Sequence, residues 1–480
     1  MIHDSAQGVS AYAKLRRQAL VTVINSKLGV LNMSGNSLDM KAETTLPEHF
    51  DVLIVGAGIS GIGSAYHLKK QCPGMSFAIL DSLESYGGTW LIHRYPGTRS
   101  DSDLFTFGYR FKPWTGALIA SRDQILSYLG EVIEENQLSP HIRYRHAIKS
   151  ASWSSDDNLW KIEAILTDSG ETVILTARFL WMCQGYYRHS EGYTPEWRGM
   201  QSFKGKIVHP QSWPENLDYA GKRVVVIGSG ATAATLVPAL AKDCGHVTML
   251  QRNPTYFSTG RNADALCDEL RRLKIDDSWI HEIMRRKIVN DRNLLRQRAR
   301  EEPEAVTQQL LAGVQAALGP NFDISKHFTP KYRPMKQRIA FVPDGDLFQA
   351  VRSGQASVVT DEIEEFTETG IRLKSGETIN ADIVITATGF NLSVLGDIQF
   401  SIDNKPLVFS EAITYRGMMF TGVPNMVWLS WVQLLQLDFA RRYYRRFCLP
   451  IAQSHEAKKC DSNHAKVTRF RYEYGVESMG

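Results

Sequence analysis

The chain has 480 residues, 43% hydrophobic and 22% charged, with Lys plus Arg at 55 against Asp plus Glu at 51. Such a length divides into about three ordinary domains, and so small a basic excess gives no case for a nucleic-acid partner. Cys72, Cys183, Cys244, Cys267, Cys448 and Cys460 form no Cys-x-x-Cys pair and no metal-ligand spacing, so no metal is expected and reduced thiols in the cytoplasm fit best.

Residues 1–46 read as a disordered extension. In residues 1–38 Lys14, Arg16, Arg17 and Lys27 face Asp4 as the only acid, a bias that organelle transit peptides share. Asp51 to Val55 is then a short apolar strand that runs into Gly56-Ala-Gly58-Ile-Ser60-Gly61 and a helical pattern over 62–70, and the next apolar run ends at Asp81. This is a βαβ unit built for a dinucleotide. Gly56 makes the bend, Gly58 lets backbone approach a pyrophosphate, Gly61 allows helix and strand to pack closely, and Asp81 is placed to accept from a ribose diol. Gly87-Gly88-Thr89-Trp90 and Arg94-Tyr95-Pro96-Gly97-Thr98-Arg99-Ser100-Asp101 follow.

A second apolar strand, Phe179 to Cys183, closes on Gly185. The string Phe203-Lys-Gly205-Lys-Ile-Val-His209-Pro-Gln-Ser-Trp213-Pro214 comes next, and after it the strand-turn-helix grammar repeats: Arg223 to Ile227, then Gly228-Ser229-Gly230-Ala231-Thr232-Ala233, a helix through Leu240, and a strand from His246 to Leu250. The third glycine position is here Ala233. Gln251 and Arg252 follow the strand, and where a carboxylate would repel a ribose 2'-phosphate a guanidinium pairs with it, so NADPH is favoured over NADH.

Residues 262–330 change to long charged helices, read as an excursion covering the nicotinamide domain. Val306, Leu310, Leu311, Val314, Ala317 and Leu318 form its apolar stripe. The basic run Arg285, Arg286, Lys287, Arg292, Arg296, Arg298 and Arg300 reads as a solvated face. Asp382 to Thr386, closing on Gly389, looks like the strand that returns the chain to a flavin domain. No run reaches the roughly 18 to 20 apolar residues of a membrane span; the longest, Met426 to Leu437, is broken by Ser430, Gln433 and Gln436 and reads as a buried strand with its flank.

The Phe-x-Gly-x-x-x-His-x-x-x-Trp-Pro bridge between two glycine turns resembles the fingerprint of the Baeyer-Villiger monooxygenases, a family of class B flavoprotein monooxygenases. The stretch Gly87 to Trp114 is similar to the flavin-contacting segment of the ethionamide-activating type. The resemblance covers about residues 47–432. It implies an α/β fold with two Rossmann-like dinucleotide-binding domains, the NADP domain inserted in the FAD domain, with a helical excursion.

Boundaries follow: FAD-binding domain at 47–190 and 381–432, NADP-binding domain at 191–261 and 331–380 with the bridge at 203–214, excursion at 262–330, and a divergent tail at 433–480. FAD would sit on Gly56, Gly58, Ser60, Gly61, Asp81, Gly88, Thr89, Trp90 and Asp101. NADPH would sit on Gly228, Ser229, Gly230, Ala231, Thr232, Ala233, Gln251 and Arg252. The segment Lys331 to Leu347 matches the one that carries the family's catalytic arginine, here Arg338, with Asp101 as the acid that orients it.

The implied reaction takes NADPH, dioxygen and a ketone to an ester or lactone through a peroxyflavin. Oxidation of a sulfur or nitrogen compound on the same scaffold is an alternative, although related N- and S-oxidising enzymes usually carry another aromatic residue at the position of Trp213. By the same resemblance His209 couples domain movement and does no bond chemistry. Past Trp431 the match fades, which leaves a non-catalytic flavin-binding remnant as a further alternative. A dithiol-disulfide reductase is set aside because no redox cysteine pair follows Gly61.

Overall fold

A computed structural model describes residues 47–429. The N-terminal extension and the divergent tail lie outside the described residues. Strand β1 (Glu48–Val55) is apolar on both faces, with Val52 and Ile54 on one core and Leu53 and Val55 on the other. A strand buried on both sides belongs inside a parallel sheet, and β1 lies between β2 (Phe77–Leu80) and β6 (Thr172–Met182), parallel to both. Helix α1 (Ile59–Gln71) crosses between β1 and β2.

Short helices α2 (Thr89–Ile92) and α3 (Leu104–Phe107) lead to α4 (Arg122–Glu135). The last starts sharply because Ser121 and Gln124 cap each other reciprocally, satisfying amides that the first helical turn leaves free. The outer strand of the parallel sheet is β3 (Ile142–Arg143), and a meander follows through β4 (His146–Ser154) and β5 (Leu159–Leu166) into β6.

Strand β7 (Tyr187–Gly192) leaves this domain. The second sheet is wholly parallel and is built from β8 (Lys206–Val208), β9 (Arg223–Ile227), β10 (His246–Gln251) and two later strands. Helix α5 (Ala231–Leu240) covers one face, and β11 (Phe257–Gly260) leads to helices α6 (Ala265–Arg272), α7 (Asp277–Glu301) and α8 (Pro303–Leu318). Then come β12 (Ala340–Pro343), α9 (Asp346–Arg352), β13 (Ala356–Thr360), the meander β14 (Ile363–Thr367), β15 (Gly370–Leu373) and β16 (Thr378–Asn380), and β17 (Ile383–Thr386). The order across the sheet is β13-β10-β9-β17-β8.

The chain returns through β18 (Phe390–Leu392), which pairs antiparallel with β7. The outgoing and returning connections are therefore hydrogen-bonded neighbours. Beyond them, β19 (Gln399–Ile402) joins β4, β20 (Lys405–Pro406) pairs with it, β21 (Thr414–Tyr415) and β22 (Met419–Phe420) form a small hairpin, and β23 (Met426–Trp428) adds to the C-terminal half of β6.

Three sequence expectations need correction. The strand after Asp382 does not reopen the first domain: β17 is bonded to β8 and β9, so it completes the second sheet, and the first sheet resumes only at β19. The excursion does not cover the nicotinamide domain alone. Cys267, Ile280 and Met284 of α6 and α7 are buried in the core of the first domain, whereas Val314 and Leu318 of α8 are buried in the second.

The basic run on α7 is not all solvated. Nη1 of Arg285 donates to the carbonyls of Phe105, Thr106 and Gly108, and Arg292 reaches Asp103 at 2.6 Å. A guanidinium offers five donors in a fixed fork, which suits it to the unpaired carbonyls at the end of α3.

Candidate functional site

In the first turn Gly56 has φ of +103°, and a Cβ on it would lie 2.7 Å from the carbonyl oxygen of Cys183. A Cβ on Gly61 would overlap the Gly56 carbonyl oxygen, so helix and turn touch there. Gly58 differs. Its Cβ would meet only the Cα of Gly88, at 3.9 Å, and would stand in the open space between two glycine backbones.

That space is a cradle only because side chains are missing, which is what close approach of a pyrophosphate requires. Gly87 docks the second glycine pair by donating to the Ala57 carbonyl at 3.0 Å. Ser60 is buried in the first turn of α1. Thr89 is exposed at the start of α2, and Trp90 sits edge-on to Phe107.

Asp81 is buried, and its carboxylate accepts from the amides of Ala57 at 2.6 Å and Leu83 at 2.9 Å. Burial pushes its pKa up while those amides pull it down. It thus ties the end of β2 to the glycine turn, and each oxygen keeps a second lone pair for a hydroxyl. Beside Gly56, Gln184 leaves both atoms of its side-chain amide buried with no hydrogen-bond partner among the described residues. An unsatisfied amide at the rim of a side-chain-free cradle fits a bound polar group. Local pattern gave no sign of Gln184.

The second turn repeats the design. Gly228 has φ of +127°, and a Cβ there would overlap the Ala387 carbonyl oxygen, whereas a Cβ on Gly230 would meet nothing within 4 Å. Ala231 and Thr232 open α5 with no side-chain cap, Ala233 is fully buried, and the Ser229 hydroxyl lies 3.0 Å from that of Thr255. Gln251 is buried and donates to the His327 carbonyl and the Thr360 hydroxyl, so its amide nitrogen is spent on the protein. Arg252 is exposed at the strand end and has no ion pair among the described residues.

Arg338 and Asp101, far apart in sequence, meet in an ion pair. Nη2 donates to Oδ1 at 2.8 Å and to the Ser102 hydroxyl at 3.4 Å, while Nη1 lies 2.8 Å from Oδ2 as the ion pair. The contact turns one edge of the guanidinium toward Asp101 and leaves its remaining N–H groups to point elsewhere. Tyr186 lies close to this pair, its phenol pushed well up by burial. Tyr95, its phenol raised to about 12 by burial, is packed in the core of the second domain, so the segment after α2 reaches across to it.

In the bridge, His209 Nδ1 accepts from the Gln211 amide, so Nε2 carries the proton and donates to the Gly389 carbonyl at 3.0 Å. Burial holds its pKa below the usual value, consistent with that neutral form. The side-chain Nε2 of Gln211 donates to the carbonyls of Arg188 and His189. The bridge therefore grips both connections between the domains. Trp213 is half-buried beside Tyr219. A cavity of about 380 Å³ between α8 and the 322–329 loop is lined by none of these residues.

The sequence profile of flavin-binding monooxygenase-like proteins matches residues 117–290, and that of an NAD(P)-binding Rossmann-like domain matches 54–115. The FAD-containing monooxygenase EthA of Mycobacterium tuberculosis is 47% identical over 391 residues, 80% of this chain and 78% of that one. The probable FAD-binding monooxygenase AlmA of an Acinetobacter species is 47% identical over 414 residues, 84% of this chain and 81% of that one. Among solved structures, cyclohexanone monooxygenase bound to epsilon-caprolactone superposes with a TM-score of 0.70 at 20% identity, covering 85% of this chain and 89% of that one. Steroid monooxygenase bound to NADP gives 0.65 at 24% identity, covering 83% and 86%.

Proposed function

The chain belongs to the flavin-binding monooxygenase family, and on that premise we propose that it is a Baeyer-Villiger monooxygenase converting a ketone to an ester or lactone. It is an enzyme that uses FAD and NADPH. FAD, when bound and reduced by NADPH, supplies the activation of dioxygen. The remaining work falls to the protein.

Gly56, Gly58, Ser60, Gly61, Asp81, Gly88, Thr89 and Trp90 form the FAD cradle in this reading. Gly228, Ser229, Gly230, Ala231, Thr232 and Ala233 form the NADP cradle, with Arg252 free for a 2'-phosphate and Gln251 bracing the strand end. Arg338 supplies a permanent cation for the negative charge that develops on the substrate oxygen, since arginine stays protonated at any working pH. Asp101 is the orienting acid.

The observation that carries the reading is the Asp101 to Arg338 ion pair, because it turns toward this site a cation whose remaining donors can meet an oxyanion. The bridge ending in Trp213-Pro214 supports a carbonyl over a heteroatom as the oxidised group.

The deciding measurement is product formed per NADPH consumed, with cyclohexanone and acetophenone on one side and thioanisole on the other. Ester or lactone matching NADPH supports the proposal. Sulfoxide with no ester would replace it with heteroatom oxidation, and no oxygenated product from any of them would leave a flavin-binding remnant. The Arg338→Ala variant should keep FAD yet lose ester formation by about 10² to 10³-fold, the scale for removing a preorganised donor.

A further inference from the structure

An ion pair such as Asp101 with Arg338 does not hold its own geometry. Arg338 is 67% exposed and Asp101 31%, and pairs this open contribute about 0 to 1 kcal/mol. Yet the aim of the guanidinium depends on that carboxylate staying in place. The residues on either side of Asp101 supply what it lacks.

Every second residue of this segment is charged and paired with a different distant element. Arg99 forks to Asp346, in the first turn of α9, at 2.5 and 3.2 Å. Asp101 takes Arg338, and Asp103 takes Arg292 of α7 at 2.6 Å. The outer pairs are less open than the central one: Arg99 is 19% exposed and Asp103 8%.

Asp103 is anchored further because it caps α3, accepting from the Thr106 amide at 2.7 Å and its hydroxyl at 2.8 Å, while Arg292 also reaches that hydroxyl at 3.1 Å. At the other end of α3, Arg285 holds the carbonyls. Asp346 sits where a helix N-terminus favours negative charge. Backbone bonds from Ser100 to Ala120 and from Leu104 to Leu118 complete the frame.

We propose that Arg292 and Asp346 are positioning residues for the oxygenation step: through Asp103 and Arg99 they fix Asp101, and through Asp101 the orientation of Arg338. Neither touches Arg338 directly. The inference rests on the assignment of Arg338 above. When its aim is lost, NADPH, dioxygen and a proton give NADP⁺ and hydrogen peroxide, and the ketone is left unchanged.

The test uses the full chain with FAD and cyclohexanone, or whichever ketone in the panel gives ester. Arg292→Gln and Asp346→Asn should retain FAD and oxidise NADPH. Ester per NADPH should fall about 10- to 100-fold, the cost of a small misplacement, with peroxide making up the difference. Arg292→Lys should recover part of the coupling, and the reversed pair Arg99→Asp with Asp346→Arg should recover more than either single change. Hydrogen exchange measured without NADPH or ketone should quicken over residues 99–107 in both single variants.

Wild-type ester per NADPH in Asp346→Asn and Arg292→Gln, beside an uncoupled Arg338→Ala, would overturn the proposal and leave the outer pairs as structural ties. Should Arg338→Ala itself stay coupled, the fault lies with the assignment of Arg338. If Arg292→Gln does not fold, Asp346→Asn and the reversed pair, which alter another element, decide the matter alone.

Discussion

The two glycine turns share a plan and differ in their surroundings. In each, the first glycine has a positive φ and lies against a backbone carbonyl, and the second opens onto free space. The first turn is also walled in: Gly87 and Gly88 dock against it, Asp81 is tied to Ala57, and Gly61 leaves no room for even a methyl group. The second accepts Ala233 in the third position and ends at Arg252, an exposed cation. An enclosed cradle with its polar groups buried suits a group that stays bound, and an open one ending in a free charge suits a cosubstrate that exchanges each turnover. In the reading proposed above, the first turn would keep FAD and the second would take NADPH.

The largest test of that contrast is at the third position. Gly61→Ala puts a methyl group into the Gly56 carbonyl and should yield little soluble yellow protein, because the overlap is with backbone, which cannot turn aside. Ala233→Gly should cost only about 1 kcal/mol, the price of a glycine inside a helix, and leave flavin content unchanged. Comparable solubility and flavin absorbance in the two variants would erase the distinction.

At the second position the expected losses differ in kind. Gly58→Ala puts a methyl group into the open space proposed for the pyrophosphate and should give colourless protein, whereas Gly230→Ala should remain yellow and raise KM for NADPH. Absorbance of the purified variants checks the first half, and steady-state kinetics the second. A yellow Gly58→Ala variant would remove FAD from the first turn.

At the open end, Arg252→Ala should weaken NADPH by about 10- to 150-fold, the value of a charge-assisted contact of roughly 1.5 to 3 kcal/mol. NADH should be barely affected. Equal losses with both would make Arg252 structural.

A last test separates the turns by pH. Tyr109 donates to the Ile59 carbonyl at the start of α1, and His281 of α7 props Tyr109 by donating Nε2–H to its carbonyl while Nδ1 accepts from the Trp114 amide. Burial, helped by Arg285, lowers the His281 pKa from 6.5 to about 4. The folded protein thus favours neutral imidazole. Its contribution is complete above pH 6.5, declines as the unfolded chain takes up the proton first, and is gone below about pH 4.

Stability of the first domain should fall by about 2 kcal/mol between pH 6.5 and 5 from this group. The drop should shrink in His281→Gln when Tm is followed by flavin fluorescence. An unchanged slope in that variant would acquit His281.

Both turns, their helices and the acid ending β2 were legible in the sequence because each is a local pattern of spacing. Arg338 and Asp101 were legible only through family resemblance, since nothing local to either names a partner more than two hundred residues away. Asp346 and Arg292 were not singled out as site residues. In sequence they look like ordinary helix charges, and α7 alternates signs in a way that conceals which cations face carbonyls of α3.

The strand at Ile383–Thr386 was recognised but attached to the wrong sheet. An apolar run ending in Thr-Gly says that a strand is buried on both faces, not which neighbours bury it. Gln184 escaped notice because an unsatisfied amide exists only once the fold has enclosed it.

The pairing of β7 with β18 has a historical consequence. Gly192 lies opposite Phe390, so everything between them departs from and arrives at one place in the host. A host strand pair spaced like any two neighbours in a sheet can be closed by a short turn as readily as by a whole domain. The nucleotide module is in this sense a cassette: a lineage could acquire it in a single recombination event without stretching the domain that received it.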